Sequence, residues 1–407
     1  MWNRHSKYYP SILAQIVFGL VTLSIVVTTH ADTKVPENLQ VHGFLSQGYL
    51  LTSGNKVFGN SKDNGSFGFR EIGLNASLQP MPSLQLSAQL LSRHAGKGNN
   101  GGIRVDYGFA DYRISSDVTK QFGIRLGRVK NPFGFYNETR DVPFTRPSIL
   151  LPQSIYFDRT RNLALAGDGA QLYGEANTNF GDFSIQFQTG LPQVNDKNSE
   201  VALIGGNFPG KLQSRLSYIG RIIYELDGGR LRLAVSGSQL NVGYDPAAPF
   251  GADLMAGLVR FSPIIFSAQY NAERFSITSE YAIRPFRIKD FGVSALDLNF
   301  IGESYYIQGA YRFNQEWEGF LRYDVLFTDR NDRNGRQFRT STGRPAHNRF
   351  AKDMTVGLRW SITPEIMLRA EYHRIDGTAW LSTLDNPDHF NTNRHWNLFA
   401  AQISYRF

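Results

Sequence analysis

Cysteine is missing from all 407 residues. No disulfide can hold this fold, no thiolate can ligate a metal in it, and a cysteine nucleophile is excluded. Long apolar runs are missing too once Ala31 is passed. No later stretch reaches the roughly 20 consecutive apolar residues that a membrane-crossing helix needs. Histidine is scarce: beyond Ala31 the chain holds His42, His94, His347, His373, His389 and His395, with no His-Glu-x-x-His spacing and no clustered ligands. No metal site and no cofactor are therefore expected. Lysine is sparse, and arginine greatly outnumbers it. That balance favours fixed, hydrogen-bonded cations over mobile ones.

At the start of the chain, Arg4, His5 and Lys7 precede an apolar run from Ile12 to Val27, and Thr29-His30-Ala31 supplies small residues where a signal peptidase reads. The pattern is that of a secretory signal peptide, residues 1–31, leaving 32–407 as one domain. Its removal takes Arg4 and Lys7 and no acid, so 41 basic residues face 35 acidic ones. No nucleic-acid partner is expected.

At the other end, Phe399, Ala401, Ile403, Tyr405 and Phe407 share one strand face, while Gln402, Ser404 and Arg406 share the other. A strand with lipid on one side and water on the other requires that sorting. The same alternation recurs. Ile72, Leu74, Ala76 and Leu78 oppose Glu71, Asn75, Ser77 and Gln79; Met354, Val356, Leu358, Trp360 and Ile362 oppose Thr355, Arg359 and Ser361. Ile366, Leu368, Ala370 and Tyr372 oppose Arg369, Glu371 and His373. A mean hydropathy of −0.31 with 13% aromatic residues suits such two-faced strands. Between 103 and 114 the alternation breaks near Gly108 to Asp111, where a bulge or a packed subunit contact is expected.

Short turns alternate with long polar connections. The turns are 80–83, 116–119, 179–182, 227–229, 271–274, 314–316 and 363–365; the long connections lie near 52–65, 94–102, 131–167, 191–210, 242–262, 289–297, 329–350 and 377–394. This asymmetry belongs to transmembrane antiparallel β-barrels, with periplasmic turns short and external loops long, and the count implies about 16 strands. The first strand already begins at Leu39, so no plug domain is expected, which weakens an energised transporter.

The third long connection carries Phe144, Ile149, Leu150, Leu151, Ile155, Tyr156, Phe157, Leu163 and Leu165. It is too apolar to lie in water and should pack against something, and the lumen of a barrel of this size can receive it. Its charges are Arg140, Arg146, Arg159 and Arg161 against Glu138, Asp141 and Asp158. The arginines are candidates to narrow and charge a pore. Asp141 and Asp158 are candidates to pin the loop through ion pairs. Further inward arginines, Arg93, Arg221, Arg312, Arg322, Arg359, Arg369 and Arg406, face scattered acids such as Glu71, Glu280, Asp324 and Glu371, so a positive but mixed lumen is expected.

The run Arg125-Leu126-Gly127-Arg128-Val129-Lys130-Asn131-Pro132-Phe133-Gly134, the closing Phe407 and the strand count resemble the phosphate-selective porin O and P-like family of Gram-negative outer membranes. Tyr405 and Phe407 likewise resemble the terminal signal read by the barrel assembly machinery. The resemblance implies a 16-stranded homotrimeric porin, embedded in outer-membrane lipid and lipopolysaccharide, whose third loop folds into the lumen. It carries Arg125 and Lys130 over as lumen cations, and Arg128 only if Gly127 bulges. The chain lacks the lysine cluster of the phosphate-binding members, so phosphate selectivity is not expected. Passive diffusion of small hydrophilic solutes, anions preferred, is the leading expectation. An outer-membrane enzyme or a surface-binding barrel is the alternative, with His373 and a neighbouring-strand serine as its one loose catalytic candidate.

Overall fold

Alternation at a period of two gives each strand one exposed apolar face and one buried polar face. The computed structural model describes residues 38–205, 210–247, 255–292 and 297–407; the expected signal peptide lies outside the described residues. Its strands are β1 (Leu39–Thr52), β2 (Ser66–Met81), β3 (Leu84–Ala95), β4 (Asn100–Ser116), β5 (Lys120–Lys130), β6 (Ala166–Thr178), β7 (Gly181–Pro192), β8 (Gly210–Leu226) and β9 (Leu231–Pro246). There follow β10 (Gly257–Phe261), β11 (Ile264–Asn271), β12 (Phe275–Lys289), β13 (Leu298–Arg312), β14 (Trp317–Phe327), β15 (Phe350–Ser361), β16 (Ile366–Gly377) and β17 (His395–Arg406).

Neighbours in sequence pair antiparallel, and β1 pairs with β17 from Phe44 opposite Arg406 to Thr52 opposite Leu398, which closes the sheet. Both β10 and β11 pair with β9 and β12. They are two segments of one wall strand, interrupted at Ser262-Pro263, where proline has no N–H to give the ladder. Seventeen segments therefore make a closed 16-strand antiparallel β-barrel.

The expected turns join consecutive strands, among them Asp117 to Thr119 between β4 and β5 and Asp227 to Arg230 between β8 and β9. Two expected loops are shorter than the sequence suggested: β9 runs on to Pro246 before the wall resumes at Gly257, and β3 and β4 take all but 96–99 of the second. The faces follow the alternation. Ile72, Leu74, Met354, Val356, Phe399 and Ile403 are exposed, whereas Glu71, Thr355, Gln402 and Ser404 are buried. In β4, Gln89 of β3 pairs with Tyr107 and Leu90 with Val105, leaving Asp106 as the extra residue of a bulge. It lies just before the expected site and turns the Asp106 carboxylate onto the buried face.

Candidate functional site

The segment 131–165, between β5 and β6, is held by the buried faces of strands all around the wall. Its apolar side chains divide among three clusters, Leu163 packing with Val194, Leu203 and Leu240 in one of them. Ile149 and Leu150 pack with Leu50, Phe69, Trp396 and Leu398; Phe133, Leu151, Ile155 and Tyr156 pack with Ile265, Ala282 and Tyr306. Its backbone is bound by wall charges of both signs. The Glu371 carboxylate accepts from the Ile149 and Leu150 amides, Glu280 accepts from the Phe135 amide at 3.0 Å, and Ser236 Oγ accepts from the Gly134 amide at 2.9 Å. Wall arginines take the carbonyls: Arg221 donates to Gly134 at 2.8 Å, Arg322 to Leu150 at 3.1 Å, and Arg369 to Arg146 at 3.1 Å and Ser148 at 3.0 Å. A buried loop must satisfy its peptide groups, and here the wall does it. The Tyr156 hydroxyl donates to Glu280 at 2.6 Å. Burial beside that carboxylate raises the Tyr156 phenol well above its usual range.

Most candidate cations of the segment are themselves anchors. Arg146 reaches Glu71 at 2.6 Å, and Arg93 of β3 reaches the same carboxylate at 3.2 Å. Arg161 pairs with Asp141, and lies 3.5 Å from Asp158. Arg140 donates to the Tyr156 carbonyl at 3.0 Å and lies 3.6 Å from Asp158. Lys130, at the end of β5, sits between Asp106, at 2.5 Å, and Asp141. Lys130, Arg140, Arg146 and Arg161 are all buried. Burial alone would raise the Asp141 carboxyl, but the Arg161, Lys130 and Arg104 charges outweigh it and hold the group well below its usual range. Asp158 is also held low, burial being outweighed by Arg93, Arg140 and Arg161. Charges so paired in a dry setting fix a conformation.

Arg128 corrects an expectation. β5 pairs with β6 without a register shift through Gly127, so Arg128 keeps the face of Ile124 and Leu126. Leu126 and Leu172 of that face are exposed large apolar residues. Arg128 grips Asp168 there through Nε at 2.6 Å and Nη2 at 3.0 Å, and donates to the Val105 carbonyl at 2.9 Å. It belongs to the outer surface. Arg125 is on the opposite face, half-buried, with Nε 2.9 Å from Asp111, Nη1 2.8 Å from Gln171 and its guanidinium over the Tyr173 ring.

Arg159 stands apart from the network: among the described residues it has no ion pair, and its guanidinium lies over the Phe157 ring. Of the expected inward arginines, Arg93, Arg221, Arg322 and Arg369 are buried, Arg359 is intermediate, and Arg312 and Arg406 are exposed. His373 has Nδ1 2.8 Å from Asp353 and 3.0 Å from Thr355 Oγ1, and Nε2 3.4 Å from Glu371. None of these partners is a serine. In the sequence, Glu71, Glu280 and Glu371 read only as scattered inward acids. Nothing local there shows that they bind the segment, because no local pattern links a strand carboxylate to a group up to 222 residues away.

The barrel is similar to the anion-selective porin from Comamonas acidovorans, with a TM-score of 0.58 and 12% identity over 91% of this chain and 99% of that one. It is also similar to the outer membrane channel DcaP of Acinetobacter baumannii, with a TM-score of 0.56 and 10% identity over 93% of this chain and 100% of that one. OmpF of Salmonella typhi, solved with daunomycin, gives a TM-score of 0.55 and 16% identity over 91% of this chain and 97% of that one. No family model and no curated protein matches the sequence. The fold is that of Gram-negative outer-membrane porins.

Proposed function

We propose that the chain is an outer-membrane porin through which small hydrophilic solutes diffuse passively, anions preferentially, past a narrowing made by segment 131–165 folded into the lumen. The observation that carries this reading is the attachment of one connection to the buried faces of β2, β8, β9, β12, β14 and β16 at once. A connection lying outside the barrel could not reach all of them. Diffusion then needs no energised step; the wall and the segment offer water-lined groups and cations that replace part of an anion's hydration. Arg125 is the wall cation of the original motif that keeps contact with solvent. In this reading the barrel is no enzyme, and its remaining partners are outer-membrane lipid, lipopolysaccharide and the barrel assembly machinery. Homotrimerisation has support from OmpT of Vibrio cholerae, a structure of similar fold solved in a trimer form. The phosphate-selective subfamily is not carried over, since the chain supplies no lysine cluster.

Reversal potentials of the purified barrel in planar bilayers, under a salt gradient, test the reading. Anion preference that fades as salt shortens the reach of the wall charges to about 8 Å is expected. A cation-selective channel rejects the role of the arginines, and a barrel that assembles without conducting rejects the porin.

A further inference from the structure

On the long-loop side of segment 131–165 lies a cavity of about 390 Å³. That is the size of small-ligand sites, which run from about 300 to 1,000 Å³. Its lining includes Arg159 of the segment, Arg284 of β12, and Arg344 and Arg349 before β15, and among the described residues it contains no aspartate or glutamate. None of the four arginines forms an ion pair among the described residues. Asp324, Asp329 and Asp332 act on Arg284 and Arg349 only from beyond ion-pair distance. Three of the guanidiniums lie against phenyl rings, Arg159 and Arg284 over Phe157 at 5.7 and 4.9 Å and Arg349 over Phe300 and Phe338 at 5.2 and 4.9 Å, and Arg284 also donates to the Phe327 carbonyl at 2.9 Å. The Nε atoms of Arg284 and Arg349 are buried without a hydrogen-bond partner. Burial and the neighbouring Arg349 charge lower Arg159 to about 10, which leaves it cationic at neutral pH.

The contrast lies with the segment's other arginines. Elsewhere the segment's cations face carboxylates within ion-pair distance, as Arg146 faces Glu71 and Arg161 faces Asp141. Here four arginines converge with no carboxylate among the described lining residues, on a wall rich in phenylalanine. Unpaired buried charge is costly, and an incoming anion relieves it. An inorganic anion would use only the charge, whereas a flat organic anion would also cover the rings.

We propose that this cavity is a binding site for aromatic carboxylates, which it collects on the way to the narrowing. The inference rests on the porin reading for its place in a permeation path, but not for the binding itself. Each ligand meets the guanidiniums through its carboxylate and the rings through its own ring. The full-length barrel, purified in detergent, is titrated by calorimetry with benzoate, acetate and inorganic phosphate at one ionic strength. Benzoate should bind saturably and at least about tenfold more tightly than acetate or phosphate, because only it buries an apolar ring. Arg159→Gln and Arg349→Gln should each weaken benzoate about tenfold, the order expected for a lost charge-assisted contact. Phe338→Ala, in the loop helix Arg336–Thr342 and outside the wall, should narrow the gap between benzoate and acetate even if an arginine variant fails to assemble. Equal affinity for benzoate and acetate, phosphate as the tightest ligand, or benzoate binding unchanged in all assembled variants overturns the proposal. Conductance without any added benzoate separates the two readings: a conducting barrel without benzoate preference sinks this site alone, while a non-conducting barrel that binds benzoate supports the site and sinks the porin.

Discussion

Arg146 Nη2 lies 2.6 Å from Glu71 Oε2, with 3% and 0% of the two side chains exposed. This pair ties segment 131–165 to strand β2, and Arg93 shares the same carboxylate. Glu71→Gln would leave the buried Arg146 guanidinium without its counter-charge, while Arg93 would keep Asp158 at 3.0 Å. Breaking a buried pair from one side costs about 3–5 kcal/mol. The temperature at which the folded form gives way on electrophoresis should fall for Glu71→Gln and fall less for the Glu71→Gln/Arg146→Met double variant. An unchanged temperature in the single variant would remove the pair from the account.

The ion pairs of Asp141 and Asp158 should resist mild acid. Asp141 and Asp158 titrate in the folded protein below their ordinary value of 3.8. Groups depressed on folding contribute stability that is fully present above the unfolded pKa and lost as pH falls through the folded one. Channel conductance should therefore hold steady from about pH 8 to about pH 5 and rise only at pH values below the ordinary aspartate range, as the segment loosens. Conductance recorded against pH checks this; a transition centred near neutrality would point instead to another anchoring carboxylate, such as Glu280 or Asp324.

Arg125 and Arg128 are three residues apart on opposite faces, so their substitutions should differ. Arg125→Ala should weaken anion preference with little change in conductance, and Arg128→Ala should leave the reversal potential where it was. Lys130→Ala should do more than either, because it leaves the buried Asp106 without its ion-pair partner, while Asp141 keeps Arg161. Reversal potentials for the three variants at low salt decide the matter. Equal effects of Arg125→Ala and Arg128→Ala would show that strand parity does not govern selectivity.

Phe407 exchanges backbone hydrogen bonds with Gly43 at 3.0 and 3.1 Å, and its ring is 55% exposed. Removing it should lower the yield of assembled barrel more than the stability of the barrel that forms, as expected for a residue read during insertion. Yield and heat-modifiability, measured on the same preparations, separate the two effects. Equal yield with and without Phe407 would count against the signal.

The sequence displayed the wall well because lipid-facing and buried residues alternate in it, and turns such as Asp227-Gly228-Gly229 punctuate it. It concealed the strand break at Ser262-Pro263, since proline there reads as the end of a loop and not as an interruption between Phe261 and Ile264, which face the same two neighbours. The segment's burial was legible in Ile149, Leu150 and Leu151. Its anchoring was not: the pairing of Arg146 with Glu71, 75 residues away, depends on barrel curvature that no local pattern encodes. Arg284 could have been found by extending the inward alternation from Glu280 through Ala282. Arg349, in a loop, carried no such signal.

The central claim is that segment 131–165 narrows a conducting lumen, and single-channel conductance after deletion of Thr139 to Ser154 tests it most directly. That deletion removes Arg146 and the backbone groups held by Glu371, Arg322 and Arg369 while leaving the wall strands whole. The account predicts a severalfold rise in conductance with blunted selectivity. An unchanged conductance, in a barrel that still assembles and resists heat, would contradict it.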